Sequence, residues 1–304
     1  MKFKGFAGLL LLSVSVLCGC GAKHSHNYEL KVIGDYKTSY VSGESFDTTG
    51  MFVKKVCPDC GEEIVIEDYE IENNVPLLSG TDSLTINADG LSAQVGIDVE
   101  FQFNGTITCV GDSLTAGHNW PQEAYPVYIN DYLPEGSKAT VINCGHNGAS
   151  FKNFGQYNPS YYECSEYTKS LQTKPDVITI LLGTNDATNW ANEGPTFEED
   201  YRALIDVYKE KFGEDQKFIL MTSPATKNGN QFGIPNDTIR DYVNPIQRDI
   251  AEDLEYPLID LREMFENYGS LDDLVRPNDG VHFSVAAAKM VAEEIANALV
   301  GYVA

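Results

Sequence analysis

Two short segments, far apart in the chain, carry residue types that together could perform acyl transfer. Ser113 stands in a Gly-Asp-Ser-Leu tetrapeptide at 111–114, and His282 closes an Asp-Gly-Val-His tetrapeptide at 279–282. A serine hydroxyl is a poor nucleophile until a base removes its proton, and a histidine ring nitrogen can be that base. Asp279, three residues before the histidine, can accept a hydrogen bond from the other ring nitrogen and fix the tautomer. These residues therefore predict a serine nucleophile served by His282 and Asp279.

Strands and helices alternate through residues 104–304, and this alternation predicts the framework that positions those residues. Short apolar runs with little polar alternation are typical of strands covered on both faces. Five such runs are present, at 106–110, 139–144, 176–182, 217–222 and 257–260. Helical segments separate the runs, a pattern that predicts a parallel sheet in an α/β domain.

Two of the helices have clear sequence signals. One begins at Thr196, with Glu199 three residues later at the spacing of a capping box. Its predicted buried face is formed by Phe197, Tyr201, Leu204, Ile205, Tyr208 and Phe212. The other opens after Ser284, and its predicted core contacts are Val285, Val291, Ile295 and Leu299.

Polar motifs follow the first three predicted strands. The 111–114 segment follows strand one, Asn-Cys-Gly-His-Asn-Gly at 143–148 follows strand two, and Gly-Thr-Asn-Asp at 183–186 follows strand three. In an open parallel sheet, ligands bind at the carboxyl ends of the strands, where the strand order switches. With the order 2-1-3-4-5 the switch lies between strands one and three. Ser113 and Asn185 would then face each other across a crevice.

The set of motifs resembles the SGNH hydrolases, also called GDSL esterases, over about residues 106–304. The resemblance implies a flavodoxin-like three-layer α/β/α fold, with Ser113 as nucleophile and His282 and Asp279 as the base and its partner. It also implies an oxyanion hole formed by the backbone N–H groups of Ser113 and Gly148 and the side-chain amide of Asn185. No Gly-x-Ser-x-Gly sequence occurs, which argues against the ordinary α/β-hydrolase elbow.

Within that family, Leu-Gly-Thr-Asn-Asp at 182–186 followed by Asn189 and Trp190 looks most like the sialate O-acetylesterase-like acetylesterases. This resemblance implies hydrolysis of short acyl esters, chiefly acetyl, on carbohydrate outside the cell. It implies no metal and no organic cofactor. The net charge of −24 argues against nucleic acid as a partner and disfavours docking on anionic lipid, but it does not oppose a neutral sugar ester. A lysophospholipase or other lipid esterase, and a non-catalytic glycan-binding surface protein, remain as alternatives.

Several residues near the motifs have two interpretations. His118 and His146 are rival bases without an acid three residues earlier, and either could instead line the pocket. Asp112 could support the nucleophile loop or make a local turn. Asp186 is interpreted as a turn or supporting residue, and Trp190 as either a sugar platform or part of the core.

Residues 28–103 predict a small all-β sandwich. Apolar residues alternate with polar ones from 91 to 101, and Asp89-Gly90 before this run signals a hairpin. The segments 40–47 and 50–53 resemble bacterial immunoglobulin-like surface domains. The resemblance implies a spacer or adhesion module without chemistry of its own.

Cys57 and Cys60 form a Cys-x-x-Cys pair in a turn of this β region. Tetrahedral zinc needs four ligands and no second such pair occurs, so a local disulfide is favoured over free thiols, and both over zinc. Cys144, next to the second motif, is interpreted as a small buried residue, because a catalytic cysteine would need a base of its own.

The first 19 residues have the form of a lipoprotein signal peptide. Two lysines precede an apolar run that is too short to span a bilayer, and Leu-Cys-Gly-Cys at 17–20 resembles a bacterial lipobox. The resemblance implies lipidation of Cys20 and a location on the bacterial cell surface. Residues 20–27 are then a polar linker.

Overall fold

The computed structural model describes residues 26–72 and 76–303. The predicted signal peptide at 1–19, the predicted lipidation site Cys20 and most of the predicted linker lie outside the described residues. The chain divides into two compact units, of which the first ends at Phe101 and the second spans Gln102–Val303. Within the described residues, no helix combines the length and the apolar character needed to cross a bilayer.

The first unit consists of short strands over its described residues. They are β1 (Glu29–Gly34), β2 (Ser39–Val41), β3 (Met51–Val56), β4 (Glu63–Ile66), β5 (Glu70–Ile71), β6 (Ser83–Ala88), β7 (Leu91–Gly96) and β8 (Asp98–Glu100). Two antiparallel sheets have the orders β1-β3-β4 and β5-β6-β7, and β2 pairs with β8 in parallel.

The predicted hairpin joins β6 to β7. Asp89 and Gly90 both have positive φ, 51° and 77°, as a two-residue turn of the type I′ family requires. The alternation from 91 to 101 is also present, with Val95, Ile97 and Val99 buried. The run is not one strand, however. It breaks at Ile97, because β7 pairs with β6 whereas β8 pairs with β2.

The second unit contains a five-stranded parallel sheet. Its strands are β9 (Thr106–Gly111), β10 (Thr140–Gly145), β11 (Val177–Leu181), β12 (Lys217–Met221) and β13 (Leu258–Ile259), in the order β10-β9-β11-β12-β13. This is the predicted 2-1-3-4-5 order. Gly111 at the end of β9 is in register with Gly145 of β10 and Leu181 of β11. The motif segments therefore leave the sheet at one level.

Helices connect these strands. They are α1 (Ser113–Ala116), α2 (Ile129–Tyr132), α3 (Ser165–Ser170), α4 (Trp190–Glu193), α5 (Phe197–Phe212), α6 (Asn236–Thr238), α7 (Asn244–Asp253), α8 (Leu261–Asn267), α9 (Leu271–Leu274) and α10 (Val285–Val303). A π-helical segment, Ile239–Val243, joins α6 to α7. Short 3-10 helices occupy Pro121–Glu123, Tyr125–Tyr128, Tyr161–Glu163 and Asp186–Asn189.

Helices of the second unit form two groups that correspond to the outer layers of the predicted three-layer fold. α5 packs against α7, and α10 packs against α2 and α9. Alternate strand residues, including Val110, Ile180 and Leu220, share one core cluster with the residues of α5 and α7. Because successive strand side chains point to opposite faces, their neighbours in sequence face the other layer.

Both predicted helices form, with two local differences. The hydroxyl of Thr196 binds the carboxylate of Asp200 at 2.8 Å, so it does not close the expected capping box. Val285 is 37% exposed, and the prediction that it contacts the core is wrong. Ser284 caps the last helix, since its hydroxyl accepts a hydrogen bond from the Ala287 N–H, and the cap turns the first residue of α10 outward.

Candidate active site

The nucleophile loop is the sharp turn from β9 into α1. Asp112 is the N-cap of α1, and its Oδ1 accepts a hydrogen bond from the Leu114 N–H at 2.8 Å. Ser113 is therefore the first residue of the helix. Gly111 must lack a side chain, because a Cβ there would overlap Thr115 and the Leu181 carbonyl. The turn thus holds Ser113 at the carboxyl end of β9.

His282 links Ser113 to Asp279. Its Nε2 lies 2.9 Å from the Ser113 Oγ, and its Nδ1 lies 3.0 Å from the Asp279 Oδ2. The other carboxylate oxygen of Asp279 accepts the backbone N–H groups of Val281 and His282, both at 2.9 Å. The predicted convergence of hydroxyl, imidazole and carboxylate is therefore present, and the 279–282 turn holds the aspartate and the histidine in one fixed geometry.

The environment keeps the imidazole neutral and the carboxylate charged. Burial, together with the neighbouring His118, lowers the pKa of His282 from 6.5 to about 4. For Asp279, burial raises the pKa, but the N–H groups of Val281 and His282 and the His282 ring together lower it below its ordinary value. Near neutral pH, Nδ1 of His282 then carries the proton toward Asp279, and Nε2 is left to accept one from Ser113.

Arg276 ties the base to the nucleophile loop. Its Nη1 lies 3.5 Å from the Asp279 Oδ2, its guanidinium pairs with Glu123, and its Nη2 donates to the Gly117 carbonyl at 3.2 Å. Gly117 is the residue that ends α1. The sequence analysis missed Arg276. Its spacing of three residues before Asp279 is the one signal that the sequence offered.

His118 and His146, the two rival bases, occupy different places. The ring of His118 stacks on the ring of His282, and the Phe232 ring stands nearly perpendicular to both. Its Nδ1 is buried and has no hydrogen-bond partner among the described residues. His146 is instead paired with Glu166, with 2.7 Å between Nδ1 and Oε2. His118 therefore belongs to the site, whereas His146 supports the loop after β10.

Gly148 lines the cavity that Ser113 and His282 also line. Its φ is +76°, and a Cβ at this position would overlap the Tyr157 carbonyl, so the position requires glycine. Within 26–72 and 76–303, neither the Gly148 N–H nor the Ser113 N–H donates a hydrogen bond to another group. Both residues line the same cavity, and both N–H groups are therefore available to a ligand there.

Asn185 lines the cavity as predicted, but its amide is already engaged. Its Nδ2 donates to the Ala149 carbonyl at 3.0 Å and to the Asp112 Oδ2 at 3.2 Å. Asp112 is fully buried, and burial raises its pKa to about 7. One oxygen of Asp112 caps α1 and so supports the nucleophile loop, as the first interpretation expected, and the other accepts from the Asn185 amide, which was not predicted.

Two further carboxyl groups, those of Asp186 and Glu193, are buried in the segment that follows Asn185. Asp186 accepts a hydrogen bond from the Phe151 N–H at 2.8 Å. Both carboxylate oxygens of Glu193 lack a hydrogen-bond partner among the described residues, although the Lys152 ammonium lies 3.6 Å from one of them. Burial raises the pKa of Glu193 to about 7 and raises that of Asp186 well above its ordinary value. Asp186 is therefore a supporting residue.

A sequence profile of the GDSL-like lipase/acylhydrolase family matches residues 109–290, which is more than half of the chain. The chain belongs to this family. The match runs from the nucleophile strand into the last helix and so includes Ser113, Gly148, Asn185, Asp279 and His282.

Two curated proteins and one crystal structure illustrate what this GDSL-family chain is similar to. An acetylxylan esterase of Xylanibacter ruminicola is 29% identical over 213 residues, which are 64% of this chain and 42% of the relative. A multidomain esterase of Ruminococcus flavefaciens is 26% identical over 252 residues, 72% of this chain and 31% of the relative. The chain thus spans less than half the length of either relative.

The crystal structure of a lipase/acylhydrolase from Enterococcus faecalis has the same fold as the second unit. It is 22% identical with a TM-score of 0.50, and the match covers 64% of this chain and 95% of that one. The predicted SGNH hydrolase fold, with its parallel central sheet, is confirmed.

The GDSL-family site opens on a cavity of about 470 Å³. Ser113 and His282 lie on one part of its wall, and the loop at 153–158 supplies another. That loop is held by its own hydrogen bonds, among them the Phe154 N–H to the Asn158 carbonyl at 2.8 Å. Tyr157 is 84% exposed.

Two other predictions concern residues that do not line the GDSL-family cavity. Trp190 is partly buried against Phe197 and Tyr242 at the edge of the core and does not line the cavity, which fits the core interpretation. Cys144 is fully buried, and burial raises the pKa of its thiol to about 11. It is the small buried residue that was expected.

Proposed function

We propose that this chain is a serine esterase that hydrolyses short acyl esters, chiefly acetyl, on carbohydrate. One observation carries the proposal: Ser113, His282 and Asp279 form a continuous hydrogen-bonded series that ends in a cavity. In this role Ser113 is the nucleophile, His282 is the general base and acid, and Asp279 orients the imidazole.

The reaction proceeds through an acyl-enzyme. The Ser113 Oγ attacks the ester carbonyl carbon while its proton passes to the His282 Nε2. The tetrahedral intermediate collapses, the bond from carbon to the sugar oxygen breaks, and His282 gives its proton to that oxygen. Water then attacks the acetyl-serine and loses a proton to His282, which returns it to the Ser113 Oγ as acetic acid leaves. The neutral imidazole supports this sequence, because only the neutral ring can accept the first proton.

The negative charge of the tetrahedral intermediate needs donors fixed in advance. The N–H groups of Ser113 and Gly148 meet this need in the present geometry, because no other group uses them among the described residues. The Asn185 amide is the third donor in the proposal. The Asn185 amide already makes two hydrogen bonds. To donate to the oxyanion it must break the longer one, which it makes to the Asp112 carboxylate.

Three features support an acetylated sugar as the substrate. A related protein is an acetylxylan esterase. The cavity of about 470 Å³ falls within the range of sites for small ligands. Its lining also contains the polar side chains of Asn147, Gln156, Asn158 and Thr188, which can hydrogen-bond sugar hydroxyls.

The test measures acetate released from acetylated xylan, together with a series of nitrophenyl esters from acetyl to octanoyl. We expect acetyl esters to be the best substrates, and Ser113→Ala to remove nearly all turnover while leaving the fold intact. Turnover that survives in Ser113→Ala would exclude the mechanism. A preference for octanoyl esters or lysophospholipid would instead establish the lipid-esterase alternative.

The cellular location is a second part of the proposal. The lipobox-like sequence supports lipidation of Cys20 and display on the bacterial surface, with the β-rich first unit as an immunoglobulin-like spacer. We expect the full chain to fractionate with membranes when it is produced in a bacterium, and Cys20→Ser to release it with unchanged turnover per molecule. Equal membrane association of both proteins would refute the anchor.

A further inference from the structure

The turn between β3 and β4 carries Cys57 and Cys60 and is closed by backbone hydrogen bonds. The Gly61 N–H donates to the Cys57 carbonyl at 2.8 Å, and the Cys57 N–H donates to the Glu62 carbonyl at 2.9 Å. Gly61 adopts a φ of +75°, which lets the chain reverse just after Cys60. The two cysteines are free thiols in the structure.

A third ligand comes from the segment before β1. The Nδ1 of His26 lies 3.5 Å from the Cys60 Sγ, and the ligand atoms of His26, Cys57 and Cys60 all lie within 4.8 Å of one another. Tetrahedral zinc, bound at about 2.3 Å to sulfur and about 2.05 Å to nitrogen, places those two atoms about 3.6 Å apart. The observed separation of histidine and cysteine therefore matches one edge of a zinc tetrahedron.

Glu62 supplies a candidate fourth ligand next to His26. Its Oε2 lies 3.2 Å from the His26 Nδ1, close to the roughly 3.4 Å edge that a zinc-bound nitrogen and oxygen would make. The Tyr28 hydroxyl donates to the same oxygen at 2.7 Å. A hydrogen bond of this kind commonly orients a carboxylate that ligates a metal. The side chain of Glu62 is about half exposed, so it can rotate toward the metal.

We propose that His26, Cys57, Cys60 and Glu62 bind one zinc ion. The two thiols lose their protons to solvent as the metal binds, and the neutral imidazole and the carboxylate complete a four-coordinate site. Four protein ligands leave no open position for a substrate, so the zinc is structural. It fastens the segment before β1 to the β3–β4 hairpin. Zinc was the least favoured interpretation of the sequence because no second Cys-x-x-Cys pair occurs, and His26 is remote from Cys57 and Cys60 in sequence.

Cobalt and zinc titrations of the reduced, metal-stripped full chain test the proposal. Co²⁺ should bind with the intense absorption of tetrahedral cobalt thiolate, and one equivalent of Zn²⁺ per chain should displace it. Zn²⁺ should also raise the temperature at which the first unit unfolds. His26→Ala and Cys60→Ser should each weaken binding by more than about 100-fold, beyond the loss of an outer-shell partner. Glu62→Ala should weaken it as well.

Matched controls lie in the same turn and in the other unit. Asp59→Asn changes a charge between the cysteines, and Cys164→Ser removes a buried thiol elsewhere, so neither should alter the affinity. Ser113→Ala should bind metal normally, which separates this result from the fate of the proposed esterase.

Three results would overturn the site. One is the absence of saturable binding to the reduced protein. Another is unchanged affinity in both His26→Ala and Cys60→Ser. The third is a disulfide between Cys57 and Cys60 in protein isolated from its producing cells with thiols blocked. Unchanged affinity in Glu62→Ala alone would remove the glutamate from the ligand set.

Discussion

The imidazole of His118 lies parallel to that of His282, with ring centroids 3.9 Å apart and planes inclined by 13°. Burial lowers the pKa of His118, and the nearby Arg276 lowers it further. Two stacked rings cannot both carry a positive charge at this distance without repulsion. The arrangement therefore disfavours the protonated, inactive form of His282.

The first prediction concerns the pH dependence of the wild-type enzyme. The base must be neutral to accept the serine proton, and burial lowers its pKa to about 4, below the ordinary 6.5. We therefore expect the profile of kcat/KM against pH to have an acid limb near pH 4, where His282 loses its proton, and to be constant through the neutral range. Rates on nitrophenyl acetate across the acid range measure it, with recovery at neutral pH as the control for unfolding. A limb at 6.5 would contradict the burial of His282.

A pair of His118 variants tests the stacking. His118→Phe keeps an aromatic ring but removes the charge, so the limb assigned to His282 should move slightly upward in pH. His118→Ala also admits water beside His282, so its limb should move further. We therefore expect the pKa obtained from kcat/KM to increase from the wild type to His118→Phe and further to His118→Ala. Superimposable profiles for all three proteins would show that His118 only fills space.

Gly148→Ala should damage both catalysis and folding. The positive φ of +76° costs a side chain about 1–2 kcal/mol, and the new Cβ overlaps the Tyr157 carbonyl. Displacement of the N–H should lower kcat by about 10²–10³. Gly213→Ala is the matched control, since its φ is +118° and no atom lies near the added Cβ. Comparable losses of kcat in the two variants would exclude a role for the Gly148 N–H.

Glu193→Gln should change how stability depends on pH. The pKa of Glu193 rises from 4.5 to about 7 on folding, so between these values the folded chain holds a proton that the unfolded chain has lost. The free energy of unfolding therefore falls as pH rises through this range. The variant lacks this decrease. Its free energy of unfolding, measured with urea, should therefore depend less on pH and should rise relative to that of the wild type toward neutral pH.

Glu198→Gln is the control for Glu193→Gln, because Glu198 is an exposed glutamate that makes an (i, i+4) pair with Arg202. Parallel stability curves for wild type and Glu193→Gln would mean that this carboxyl group is not protonated on folding.

Local sequence patterns predicted most strands and helices of the second unit, because the burial of a strand and the periodicity of a helix depend on residues that are adjacent in sequence. The five apolar runs became β9 to β13, and the side chains of Ser113, His282 and Asp279 come together in the order that the motifs predicted, while their catalytic roles stay a prediction. Contacts made by long side chains were not predictable in this way. Arg276 reaches Gly117, and His118 stacks on His282, only because loops from different strands meet at one edge of the sheet.

The first unit was less predictable for a related reason. The alternation from 91 to 101 predicts which side chains are buried, but it does not predict which strands pair with β7 and β8. The break between these strands at Ile97 was therefore not predictable from the sequence. The approach of His26 to Cys60 likewise depends on the pairing of β1 with β3, which sequence spacing does not reveal.

The loop at 153–158 borders the cavity and also touches the segment that carries a proposed oxyanion donor. The Asn158 Nδ2 donates to the Gly148 carbonyl at 3.4 Å, and the Tyr157 carbonyl packs against Gly148. Sequence drift in this short stretch would therefore alter sugar preference and turnover together, so the two properties are expected to evolve as a pair in this scaffold.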